Sequence, residues 1–83
     1  MPMAKPSPSF SGAKELVNLG KAIRLLRTEM GLSQEAFADE VGIDRSYLGG
    51  IERGEHNLAL MNLLKISKAL KTPLSKLLES AKL

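Results

Sequence analysis

The sequence predicts an all-α fold, a compact bundle of five helices, on three observations. Apolar residues recur at three- and four-residue spacing, as in Leu16, Leu19, Ile23, Leu26 and Met30, the period that gathers them on one helical face. Helix-start and helix-stop residues punctuate the chain at Ser33, Gly42, Asp44, Gly54 and Thr72-Pro73. No stretch alternates apolar and polar residues over a useful length, so no strand is expected.

The opening residues, MPMAKPSPSFSG, hold three of the four prolines. Such a composition buries too little surface to order itself. Residues 1–12 are therefore expected to form a disordered arm and 13–83 a single folded domain. The first helix is predicted from Ala13 to Met30, closed by Gly31. Lys21 and Arg24 fall off its apolar face, where a solvated surface and phosphate contact are both open readings.

The stretch QEAFADEVGIDRSYLGGIER, Gln34 to Arg53, reads as two short helices joined by a tight turn. Ser33 supplies a hydroxyl to accept from the free amides of the first turn, with Leu32 placed to staple onto Phe37. That helix should run from Gln34 to Val41 and stop at Gly42, where a left-handed residue is cheapest as glycine. The same grammar repeats at once, with Asp44 as cap and Ile43 stapling onto Leu48, and the next helix ends before Gly54. Two helices joined so closely need a small residue between them, and Ala38 is that residue. Phe37, Ala38, Val41, Ile43, Leu48 and Ile51 then form the seam, leaving Arg45, Ser46, Gly49 and Gly50 outward.

Glu55-His56-Asn57 reads as a loop, with His56 at the surface and Asn57 as cap of a fourth helix over Leu58 to Leu70. Thr72-Pro73 reads as cap and first-turn proline, opening a fifth helix from Pro73 to about Ser80. Its neighbourhood carries Leu74, Leu77, Leu78 and Ala81, more apolar surface than one side of so small a bundle needs. These four are the candidate dimer interface, with filling of the monomer core as the alternative.

At 83 residues the core is small enough for oligomerisation to help it. The net charge of +3 suits a polyanion only weakly. It is also unevenly spread, at +4 over residues 1–28, −5 over 29–55 and +4 over 56–83. Phosphate attraction must come from flanks and helix ends. With no cysteine and one histidine, no disulfide, metal site or cofactor is expected. No apolar run approaches the ~18 residues of a membrane span, and the N-terminus lacks a signal-peptide layout, so a cytoplasmic, nucleoid-associated protein is expected. No nucleophile with its base, carboxylate pair or phosphate-cradling loop is present, which argues against an enzyme.

The segment Leu19 to Leu78, with Gly42-Ile43-Asp44-Arg45, Gly50-Ile51-Glu52-Arg53 and Asn57-Leu58 as its markers, resembles the Cro/C1-type (XRE) helix-turn-helix family of phage and bacterial repressors. Within it, the likeness is to the controller proteins of restriction-modification operons. The resemblance implies that the outward face of the second motif helix enters the major groove of double-stranded DNA. It also implies a structural bridge between Arg27 and Glu52, and contact of Gln34 with the sugar-phosphate backbone. Some family members wrap the duplex with an N-terminal arm, a role for Lys5; a plain tail is the alternative. At positions 49 and 50 the family often has longer polar residues, so readout concentrates here on positions 44–47.

Arg45 is the leading base reader, since a guanidinium fork matches guanine O6 and N7. Ser46, Tyr47 and Gly50 complete the base-contact set, Tyr47 reaching a thymine methyl or instead packing on Leu58 and the loop. Gly50 and Gly49 would let the backbone press close to the groove. Asp44 is read as a cap in preference to a partner for cytosine N4. Phosphate contacts are expected from Ser33 and Gln34 at a helix amino end, and from Arg53, His56 and Asn57 on the far side. The function expected is a sequence-specific regulator acting as a homodimer on near-palindromic operators, autoregulatory, with RNA polymerase as a further candidate partner. The competing functions are the antitoxin of a toxin–antitoxin pair and an adaptor that uses the fold to bind proteins.

Overall fold

The computed structural model describes residues 9–83. Five helices form, α1 (Lys14–Glu29), α2 (Gln34–Val41), α3 (Arg45–Glu52), α4 (Leu60–Ala69) and α5 (Leu74–Ser80); among the described residues there is no strand. Residues 1–8 of the expected arm, including Lys5, lie outside the described residues. Residues 9–12 form turns, and the Gly12 amide donates to the Gly54 carbonyl at 2.8 Å.

Each helix contributes one large side chain that is fully shielded from solvent: Ile23, Phe37, Leu48, Ile66 and Leu77. These five meet in one core, closed by Leu19, Ala38, Ile51, Leu70 and Ala81. Burying each such side chain contributes roughly 1.5–3 kcal/mol. Around this centre α1 packs on α3 and α5, α2 on α3 and α4, and α4 on α5.

The helix-turn-helix itself follows from local chemistry. Ser33 Oγ accepts from the Ala36 amide at 3.1 Å, satisfying one of the free donors of α2. Gly42 ends α2 at φ 83°, ψ 32°, and the Gly42 and Ile43 amides both donate to the Ala38 carbonyl at 2.8 and 3.0 Å. The turn therefore closes over Ala38, which is buried.

Four expectations need correction. Asp44 occupies the cap position of α3 without a side-chain capping bond; its Oδ2 instead accepts from the Ser46 hydroxyl at 2.5 Å, a local donor that competes with the helix amides. Asn57 does not cap α4, which starts at Leu60 behind Ala59 with no side-chain capping bond; the residues between Gly54 and Ala59 form the connection, with His56 buried in it. Pro73 stands at the cap position of α5 and Thr72 Oγ1 donates back to the Leu70 carbonyl at 3.1 Å. Met30, expected on the buried face of α1, is exposed at the helix end.

The crossing of α1 and α3 is tighter than the sequence suggested. A Cβ added at Gly20 would lie 2.5 Å from the carbonyl oxygens of both Ile51 and Glu52. Main-chain atoms cannot swing aside as a side-chain tip can, so only glycine fits. Gly20→Ala is expected to lower the unfolding free energy by roughly 3 kcal/mol, the upper end of ordinary overpacking. Chemical denaturation measures it, and a loss below about 0.5 kcal/mol would show that the crossing yields.

Candidate nucleic-acid interface

The exposed side of α3 is built outward from a buried ion pair. Arg27 Nε donates to Glu52 Oε2 at 2.6 Å, and Arg27 Nη2 to Glu52 Oε1 at 3.0 Å. The remaining guanidinium nitrogen, Nη1, donates to the Leu32 carbonyl at 2.8 Å. The two side chains are 8% and 2% exposed, so the pair is desolvated and its geometry must be good to be tolerated. Glu52 sits in the last turn of α3, where the helix dipole disfavours an anion; the fork of Arg27 offsets that.

Glu52 Oε1 also accepts from Gln34 Nε2 at 2.9 Å. Since a carboxylate only accepts, the amide nitrogen of Gln34 is the end at Glu52, and Gln34 Oε1 is the other end. That oxygen stands 3.8 Å from where a Gly49 Cβ would be. Gln34, Arg45, Ser46, Gly49 and Arg53 thus line a concavity of about 200 Å³ on the open side of the helix-turn-helix. Gly49 is its floor. A larger concavity of about 500 Å³ lies between α1 and the end of α5, around Leu25, Ala81 and Lys82, and contains no residue of α3.

Arg45 and Arg53 are the cations of the smaller concavity, and both are exposed. No carboxylate lies within ion-pair distance of Arg45 among the described residues. Arg53 is engaged: Nε donates to Glu55 Oε2 at 2.7 Å and Nη2 to Glu55 Oε1 at 3.3 Å. The hydrogen bond from Arg53 lowers the Glu55 carboxyl below its usual range, and the same bond raises the Arg53 guanidinium. Ser33 is exposed beside Gln34, and Asn57 is exposed in the loop after α3.

Two expected DNA-facing residues are turned inward. His56 is 6% exposed, its ring tilted at 59° against Tyr47 with centroids 4.7 Å apart. Gly50 makes that possible, because a Cβ there would lie 2.5 Å from His56 Nε2. Neighbouring helical positions are about 100° apart, so Gly49 and Gly50 cannot share a face. One floors the concavity and the other makes room for the imidazole. Neither His56 nor Gly50 is at the surface as expected, and Tyr47 is half-buried, its hydroxyl 3.4 Å from Asn62 Nδ2. Likewise Leu77 and Ala81 belong to the monomer core at 0% and 2% exposure, so they are not available to a second copy. Leu74 and Leu78 are partly buried against that core.

The residues that pattern reading missed are Gly20 and Glu55. Glycine inside a helix was a visible signal for close approach at position 20.

The description "Helix-turn-helix" matches residues 23–77. The chain belongs to the Cro/C1-type helix-turn-helix family. It is similar to Control protein C.MunI of Mycoplasma sp, at 44% identity over 62 residues, 74% of this chain and 84% of that protein. Among solved structures it is similar to the restriction-modification controller protein C.AhdI from Aeromonas hydrophila, with TM-score 0.74 and 49% identity across 76% of this chain and 96% of that one. It is also similar to SinR, a master regulator for biofilm formation solved in complex with DNA, with TM-score 0.69 and 34% identity across 72% of this chain and 97% of that one. This helix-turn-helix chain is accordingly a transcriptional regulator, and its relatives are DNA-binding proteins rather than enzymes. Among its described residues, no helix is long and apolar enough to cross a membrane.

Three substitutions test the architecture of this face. Arg27→Ala should reduce the unfolding free energy by about 3–5 kcal/mol, since it strands Glu52 in the interior; a loss under about 1 kcal/mol in denaturant melts would contradict the burial argument. Alanine at the two glycines should act in opposite directions. Gly49→Ala meets the flexible Arg53 tip at 3.1 Å and Gln34 Oε1 at an ordinary 3.8 Å, and should stabilise by up to about 1 kcal/mol through helix propensity. Gly50→Ala collides with the packed imidazole and should destabilise by roughly 1–3 kcal/mol. Equal signs in thermal melts would overturn the division between the two faces.

Proposed function

We propose that the chain regulates transcription as a homodimer that reads near-palindromic operators, one of them near its own promoter. The observation that carries the reading is the open concavity over Gly49, with the exposed Arg45 guanidinium at its edge and no carboxylate paired to it. With α3 laid in the major groove, Arg45 in its first turn donates to guanine O6 and N7. Ser46 donates its hydroxyl hydrogen bond to Asp44 and so offers the bases acceptor lone pairs.

Phosphates flank that contact. Gln34 keeps a second Nε2 hydrogen beyond the one given to Glu52, and Ser33 stands beside it at the amino end of α2, where the dipole favours an anion. Arg53 and the exposed Asn57 face the opposite strand. His56, Tyr47 and Gly50 serve the interior of this face and do not enter the contact set.

A single module of this size binds weakly, whereas a twofold pair doubles the contacts and reads half-sites about 34 Å apart or a multiple of that. Leu60 and Met61, 62% and 65% exposed on the first turn of α4, support such pairing, together with the parts of Leu74 and Leu78 left uncovered by the core. Regulation then follows concentration: dimers form, occupy the operator, and act on transcription by where they sit relative to RNA polymerase.

Arg45→Ala is expected to weaken operator binding by roughly 1–3 kcal/mol and to relax preference at one base pair per half-site. Fluorescence anisotropy on the operator and on its single-base variants measures both effects. An equal loss on operator and random duplexes would remove Arg45 as a base reader.

A further inference from the structure

Two cations line the concavity on the outward side of α3, and they are not equivalent. Arg45 has no acidic partner among the described residues, whereas Arg53 has two of its three guanidinium nitrogens occupied by Glu55. Both bonds run to one carboxylate, in the two-pronged arrangement that a phosphate also takes from arginine. The third nitrogen, Arg53 Nη1, remains over Gly49 at the floor of the concavity, 3.1 Å from the position of an added Cβ.

The pair is also built to open. The Arg53 side chain is 57% exposed and that of Glu55 29%, so their attraction is screened by water and contributes little to folding. Only Gly54 separates the two residues, a left-handed glycine at φ 79° packed so closely on Val17 that an added Cβ would lie 2.7 Å from it. The main chain that carries Glu55 is therefore held where it turns, while the more exposed guanidinium on its long stem can move off the carboxylate. Part of the acidity of residues 29–55 is thus placed directly on an interface cation.

We propose that Glu55 is an internal stand-in for a DNA phosphate on Arg53, holding down non-specific affinity and thereby setting the ratio of operator to random-sequence binding. The inference rests on the DNA-binding reading above. In a loose, sequence-independent encounter the latch stays closed and Arg53 releases no DNA counterion. When Arg45 seats on its base and α3 descends into the groove, a backbone phosphate reaches Arg53 and displaces the carboxylate. Only the specific complex gains the second cation. Non-specific affinity comes almost wholly from phosphate neutralisation, so withholding one cation acts chiefly there.

The test compares the wild-type chain with Glu55→Gln, Arg53→Ala and the double variant, on the duplex enriched from a random pool and on a random duplex of equal length. Glu55→Gln should raise random-duplex affinity about threefold to tenfold and steepen its salt slope by about 0.9 per protomer. Enriched-duplex affinity should rise less, so discrimination falls. In the Arg53→Ala background the same change should alter random-duplex affinity by less than about twofold, which separates a latch on Arg53 from simple removal of an anion near DNA. Unchanged affinity and slope for Glu55→Gln, or an undiminished gain without Arg53, would overturn the proposal while the DNA-binding reading stood. A wild-type chain that binds neither duplex overturns both.

Discussion

A single carboxylate organises the functional end of this molecule. Glu52 receives two bonds from Arg27 of α1 and one from Gln34 of α2, and is itself the last residue of α3. Three helices are thereby referred to one buried charge. Buried ion pairs contribute little net stability compared with an apolar replacement, because desolvation offsets much of the attraction. What such a pair does supply is direction: removing one partner leaves the other stranded, so α3 cannot rotate or slide on α1 without losing the pairing. Gly20, against the Ile51 and Glu52 carbonyls, brings the helices close enough for the Arg27 side chain to reach. The orientation of the outward face of α3 follows from that crossing.

Glycine is used on this helix as absence, in two directions. Position 49 leaves space on the outer side, edged by Arg45, Ser46 and Arg53. Position 50 leaves space on the inner side, filled by the ring of His56. Intrinsic propensity opposes both residues in a helix interior, and an eight-residue helix has little propensity to spare. Its stability must come from packing, through the buried Leu48 and Ile51, so the outward face of α3 is backed by the core.

The parts of this architecture legible in the sequence are those determined within a few residues. Ser33, Gly42 and Ala38 specify the turn between α2 and α3 by capping, left-handed geometry and size, all local properties, and the position of Arg45 in the first turn of α3 follows from them. What could not be read depended on how side chains and elements fit against one another in space. Whether His56 lies in or out is decided by a gap that Gly50 opens on the inner side of α3, which no pattern of polarity announces. Leu77 and Ala81 carried the same apolar signal as Leu74 and Leu78; only the fit of α5 against α1 and α4 separates core from surface. Gly20 was visible but mute, since its partner carbonyls belong to α3.

Charge completes the picture. Residues 29–55, which contain α3, are net negative, yet the anions in and beside α3 are engaged: Glu52 with Arg27, Glu55 with Arg53 and Asp44 with Ser46. Arg45 is left as the cation without an acidic partner on the concave surface. Enrichment of bound duplexes from a random-sequence pool tests that arrangement most directly. A twofold-related motif with guanine at a fixed place in each half, bound more weakly as salt rises, is the expected result. A pool that stays random through successive rounds, with retention indifferent to salt, would contradict it.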